Sequence, residues 1–96
     1  MSHLRVVAQI PAREGSEDVL RQALTTLAEA TQSHRGCVDY ELFESAAAPG
    51  TFVTIETWES QEDLDAHMQT PDIATALAAA EGHLAGDIAI HPLRPV

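Results

Sequence analysis

Two changes of hydrophobic period, repeated in order, constrain this chain most. Leu4, Val6, Ala8 and Ile10 alternate with His3, Arg5, Val7 and Gln9, the two-residue period of a strand. After Pro11 and Gly15 the spacing lengthens. Val19, Leu20, Ala23, Leu24, Leu27 and Ala28 then form one apolar stripe of a helix running to about Ser33. Ser16 stands at its N-cap, with Glu17 and Asp18 in the first turn, where acids favour the positive helix end. Gly36 falls where a left-handed residue belongs beyond the helix.

The pattern then repeats. Cys37 to Glu44 alternates, with Val38, Tyr40 and Leu42 on one face, and Thr51 to Trp58 is β-branched and aromatic. The small-residue turn closed by Pro49-Gly50 makes these two a hairpin. Ser60 caps a second helix with Leu64, His67 and Met68 on one face. Thr70-Pro71 interrupts it, and Pro71 suits the first position of a third helix with the stripe Ile73, Leu77, Ala80 and Leu84. Ile88 and Ile90 mark a last strand, which Pro92 confines to a sheet edge or to the strand's exit.

The order β-α-β-β-α-β implies an α+β, ferredoxin-like fold: a four-stranded antiparallel sheet with helices on one face. At 96 residues the chain reads as a single domain, 1–96. Its other sheet face would carry Val7, Phe43 and other apolar groups in the open, which signals a partner. Two sheets packed back to back satisfy that need, so a homodimer is expected.

Composition narrows the classes further. Five basic residues against fifteen acids exclude a basic face for nucleic acid or anionic lipid. One cysteine excludes an internal disulfide or a cysteine-cluster zinc site. The five histidines form no H-x-H, H-x-x-x-H or H-E-x-x-H pattern, so no metal site is expected. No apolar run approaches the ~18 residues of a membrane span. Met1-Ser2-His3-Leu4-Arg5 leads directly into strand alternation without a signal-peptide core, and the expected location is cytoplasmic.

Three stretches, VVAQIPAREG, HRGCVDYELFES and FVTIETWESQEDLDAHMQTP, together resemble the antibiotic biosynthesis monooxygenase (ABM) domain family, including its quinol monooxygenases. The most specific portions are Gly36-Cys37-x-x-Tyr40 and Glu56-x-Trp58, with His67 nine residues after the tryptophan. The resemblance implies a dimeric α+β barrel. It also implies a cofactor-independent monooxygenase that oxidises a phenolic, quinol or polyketide-like aromatic with molecular oxygen. Asp72 stands where many relatives carry a second histidine after the Thr-Pro turn, a departure that argues against a two-histidine mechanism. Haem-degrading relatives use an Asn, a Trp and a His where this chain has Gln9, His67 and Leu77, which disfavours haem chemistry.

Within that frame His67 is the leading catalytic candidate, because an unperturbed imidazole near ~6.5 serves as a base around neutrality. Glu56 is the second, placed to orient His67 or a substrate hydroxyl, with an inter-subunit ion pair to an arginine as its competing role. Trp58 offers an aromatic wall, with Tyr40, Phe43, Phe52 and Met68 as further lining candidates that double as packing residues. Cys37, with no activating neighbour, reads as a small buried residue. No cofactor motif is visible. Two alternatives stay open: an isomerase or proton-transfer enzyme on a small metabolite, and a non-catalytic small-ligand-binding dimer.

Overall fold

The computed structural model describes residues 3–96. Met1 and Ser2, part of the opening stretch considered above, lie outside the described residues. The elements are β1 (Leu4–Pro11), α1 (Glu17–Thr31), β2 (Cys37–Glu44), β3 (Thr51–Trp58), α2 (Gln61–Met68), α3 (Pro71–Ala80) and β4 (Ala89–Pro92). The strands form one sheet in the order β2-β3-β1-β4, every neighbouring pair antiparallel. β1 and β2 are therefore parallel with β3 between them, and β3 and β4 flank β1 likewise. These are two interleaved split β-α-β units, the ferredoxin-like arrangement.

Alternation decides which side chains meet the helices. On β1, Val6, Ala8 and Ile10 are buried; on β3, Phe52, Thr54, Glu56 and Trp58 are. Leu20 and Leu24 of α1 close over one half of the sheet, packing with Ala8, Ile10, Phe52 and Ala80, and Leu27 is buried on the same helix stripe. Leu64 of α2 closes over the other half with Val6, Tyr40 and Trp58. Burying each such leucine contributes about 1.5–3 kcal/mol, so α1 and α2 each stabilise the half of the sheet they cover.

Four local expectations are corrected. α1 ends at Thr31 rather than near Ser33. Ser16 occupies its N-cap position but makes no side-chain capping bond; its hydroxyl pairs instead with His83 Nδ1 at 2.9 Å, tying α1 to the turn after α3. Val38 is exposed, because a bulge between Cys37 and Asp39 slips the alternation and leaves Cys37 and Tyr40 on the inner face. Leu77 is half exposed, and Leu84 lies beyond α3, paired to Ala12 across an isolated bridge.

The break between α2 and α3 falls at the expected place. Thr70 serves both helices: its hydroxyl donates to the His67 carbonyl at 2.8 Å and accepts from the Ile73 amide at 3.3 Å. Pro71 follows at the first turn of α3. This hinge sets His67 at the end of one helix and Asp72 at the start of the next.

Candidate functional site

The two packed clusters leave a cavity of about 70 Å³ between α1, α2, α3 and the sheet. Its walls are mostly apolar, with Leu24, Leu27, Leu64, Ile73, Ile88 and Ile90 prominent. Leu77 and Ile90, each about half exposed, form its mouth. Four polar side chains interrupt this lining: Tyr40, Thr54, Glu56 and His67.

His67 is buried in the final turn of α2. Trp58 lies against it with ring centroids 4.6 Å apart, Tyr40 at 5.8 Å and His34 at 5.1 Å. Its Nδ1 is 2.8 Å from Nδ1 of His34, whose Nε2 is in turn 2.8 Å from Asp72 Oδ2. Among the described residues no protein group pairs with His67 Nε2, and no buried side-chain nitrogen or oxygen lacks a partner. That nitrogen is therefore not sealed in, and His67 is one of the side chains that line the cavity. Burial, the facing His34 and, in the opposite direction, Asp72 leave the His67 pKa lowered to about 4. The imidazole is uncharged at neutrality.

His34 owes its position to the turn after α1. Its amide donates to the Thr31 carbonyl at 2.9 Å, and its carbonyl accepts from the Cys37 amide at 3.1 Å. Gly36 has a φ of 77°, and a Cβ there would lie 2.2 Å from Asp63 Cγ, so only glycine lets the turn pass α2 this closely.

Glu56 sits between Tyr40 and Val6 across the sheet register. Both carboxylate oxygens accept a bond: Oε2 from the Thr54 hydroxyl at 2.6 Å and Oε1 from Trp58 Nε1–H at 2.9 Å. Desolvation raises its pKa above the ordinary carboxylate range, and these two donors hold it back. Burial raises the Tyr40 hydroxyl too, with the Glu56 charge adding to it, so the phenol keeps its proton at any physiological pH.

Of the expected residues, the structure brings His67, Glu56, Tyr40 and Met68 to one cavity. Three expectations for the lining are corrected. Trp58 is fully buried behind His67 and serves as its backing and as a donor to Glu56, not as a cavity surface. Phe52 belongs to the packed core, with the Arg21 guanidinium 5.5 Å from its ring. Phe43 lies on the outer face of the sheet, nearly half exposed, because odd positions of β2 beyond the bulge point away from the helices. Glu56 bonds Thr54 and Trp58 rather than orienting His67, and its burial under the helices removes it from any outer-face ion pair. Cys37 is half buried, where full burial was expected.

Sequence reasoning missed His34 and misjudged Asp72. His34 is 33 residues from His67, beyond the reach of any short histidine motif. Asp72, read as the loss of a second histidine, instead anchors a second histidine supplied from elsewhere in the chain.

Comparison with known proteins bears on the whole of this arrangement. The chain is 30% identical over 95 residues to a Mycobacterium tuberculosis protein named "Putative monooxygenase Rv0793", spanning 99% of this chain and 93% of that one. The structure of Rv0793 superposes with a TM-score of 0.89 over 99% of this chain and 96% of the other, at 29% identity. A crystal structure of an antibiotic biosynthesis monooxygenase gives 0.89 at 28% identity, covering 97% and 98%. PA3566 of Pseudomonas aeruginosa, at 24% identity, shares the fold with a TM-score of 0.90 over 100% and 96%. Residues 3–84 match the family model described as antibiotic biosynthesis monooxygenase, a span that contains the two strands and the helix carrying Tyr40, Glu56 and His67. The chain thus belongs to the antibiotic biosynthesis monooxygenase family.

Proposed function

We propose that the protein is a cofactor-independent monooxygenase oxidising a phenolic, quinol or polyketide-like aromatic with molecular oxygen. One observation carries this reading: an uncharged imidazole, paired only through Nδ1, lines an apolar cavity. Molecular oxygen reacts poorly with a neutral hydroquinone but accepts an electron from its anion. His67 takes the hydroxyl proton at Nε2, acting as general base. Tyr40, which keeps its own proton, donates a hydrogen bond to the phenolate, and Glu56 accepts one from a second substrate hydroxyl.

The phenolate gives one electron to oxygen, and the resulting radical pair combines at a ring carbon as a peroxide anion. Loss of water leaves one oxygen atom on the product. The substrate supplies both electrons that reduce the other atom, and the abstracted proton returns with the departing water. Hydroquinone and oxygen thereby become hydroxyquinone and water, with no external reductant. The largely apolar walls favour an aromatic substrate over the small polar metabolite of an isomerase, and the open mouth favours turnover over a sealed packing space.

The same reading includes an isologous homodimer through the outer sheet face. Val38 and Phe43 are exposed there, an apolar surface that a second copy would cover. The excess of acids argues against nucleic acid as a partner, and no helix of the described residues is long and apolar enough to cross a membrane. A free, half-buried cysteine suits the reducing cytoplasm.

Oxygen uptake by protein stripped of metal and flavin, on hydroquinones and anthrone-like compounds, tests the proposal. Turnover of at least one class is expected; none across the panel, with folded dimer, counts against it.

A further inference from the structure

Hydrogen-bond chemistry fixes more than the position of His67. A carboxylate oxygen only accepts, so the 2.8 Å contact between Asp72 Oδ2 and His34 Nε2 places a hydrogen on that nitrogen. When His34 carries a single hydrogen, its Nδ1 is a bare lone pair. The 2.8 Å contact between the two Nδ1 atoms then needs its hydrogen from His67, which leaves His67 Nε2 bare toward the cavity. The alternative state has one more proton: His34 holds hydrogens on both nitrogens, and His67 carries its hydrogen on Nε2. The two states differ by one proton and need no movement of heavy atoms.

We propose that Asp72, His34 and His67 form a proton relay in which His34 is the resting place of the proton removed from substrate. This rests on His67 being the base. The bond from substrate oxygen to hydrogen breaks as His67 Nε2 takes the proton. The Nδ1–H bond of His67 then breaks as that hydrogen passes to His34 Nδ1. His67 ends neutral in its opposite tautomer, and His34 ends as an imidazolium hydrogen-bonded to the Asp72 carboxylate. The reverse sequence returns the proton when water departs.

The arrangement answers a problem that the burial of His67 creates. A proton held on a group lowered to about 4 and drawn from a phenol near ~10 meets an equilibrium disadvantage of about 10⁶-fold. Passing it on puts the positive charge on His34, beside a carboxylate that is about half exposed. The other titratable groups facing His67, Tyr40 from β2 and Glu56 from β3, offer no outlet. Tyr40 is already protonated, and Glu56 already receives two donors. His34 and Asp72, which do not line the cavity, are thus positioning and relay residues, while His67 takes the proton from substrate.

The tautomer of His67 reads the relay without any need for a substrate. In the full chain labelled with ¹⁵N-histidine, two-bond proton–nitrogen correlation at pH 7 should show His67 with hydrogen on Nδ1 and a bare Nε2. His34→Phe keeps a ring in place but removes both nitrogens, and should release His67 to the Nε2–H form. Asp72→Asn, at a partly exposed position that leaves folding intact, should shift the acid limb of the pH–rate profile to lower pH. It should lower kcat by about 10²–10⁴-fold with KM little changed, as loss of proton handling does. A wild-type His67 with hydrogen on Nε2 at pH 7 would overturn the relay, because the cavity nitrogen could not then accept. So would an Nδ1–H tautomer that persists in His34→Phe, or an unmoved acid limb in Asp72→Asn. A correct tautomer with no oxygen uptake on any aromatic would sink the monooxygenase reading and leave the relay standing.

Discussion

Acidification should cost this protein stability through His67 in a window set by its burial. In the unfolded chain the imidazole protonates near its ordinary value of 6.5; in the folded protein it does so only at about 4. Between those values the unfolded state binds more protons, so stability falls as pH is lowered through the window. The contribution is fully present above pH 6.5 and lost by about pH 4. At about 1.4 kcal/mol per pH unit, it is on the order of 3 kcal/mol, a large share of a small domain's total. Glu56 acts with the opposite sign, since its raised pKa lets the folded state hold a proton first as pH falls. Comparison with His67→Gln removes that effect, because Glu56 is common to both proteins. Urea unfolding followed by the fluorescence of Trp58, the single and fully buried tryptophan, gives the two curves at each pH. Relative to the variant, wild type should lose on the order of 3 kcal/mol between pH 7 and pH 4. A constant offset across that range would refute the reasoning and return His67 to an ordinary solvated histidine.

Trp58→Phe removes the donor to Glu56 Oε1 inside the core and should cost about 1–3 kcal/mol in urea unfolding; an unchanged midpoint would show that bond to be idle. Gly36→Ala places a methyl group against Asp63 in a left-handed turn and should lower stability by more than about 1 kcal/mol, read by thermal melting. Phe43→Asp, at a half-exposed position on the outer sheet face, should give a folded monomer in sedimentation equilibrium, where wild type is expected to sediment as a dimer at micromolar concentration. Removing residues 91–96 should weaken the dimer in the same measurement.

The fold was legible because period and punctuation agree at every level. Alternation on β1 and β3, the Leu20, Leu24 and Leu27 stripe, and the Thr70-Pro71 break each name one structure, and all are found. Failures follow a single cause: a feature that depends on long-range geometry leaves no local mark. The bulge at Cys37–Asp39 turns Val38 outward without a glycine to announce it. The Ser16 hydroxyl prefers His83, 67 residues away, over its own helix. In the site, Glu56 and His67 were visible as ionisable groups on inward faces, and Tyr40 and Met68 as their neighbours. Their division into cavity wall and backing was not, since Trp58 and Phe52 share the same face of β3 and differ only in what α1 and α2 place above them. His34 was invisible because its loop carries no period, and Asp72 because its partner lies 38 residues away.

Isotope incorporation by a base-deficient variant tests the central claim most directly. Metal-free and flavin-free protein would be given ¹⁸O₂ and a hydroquinone that it turns over, and His67→Gln would be run beside it. The account predicts one labelled oxygen atom per product from wild type, and a rate about 10²–10⁴-fold lower from a variant that stays folded and dimeric. Unlabelled product, or His67→Gln turning over at the wild-type rate, would contradict it.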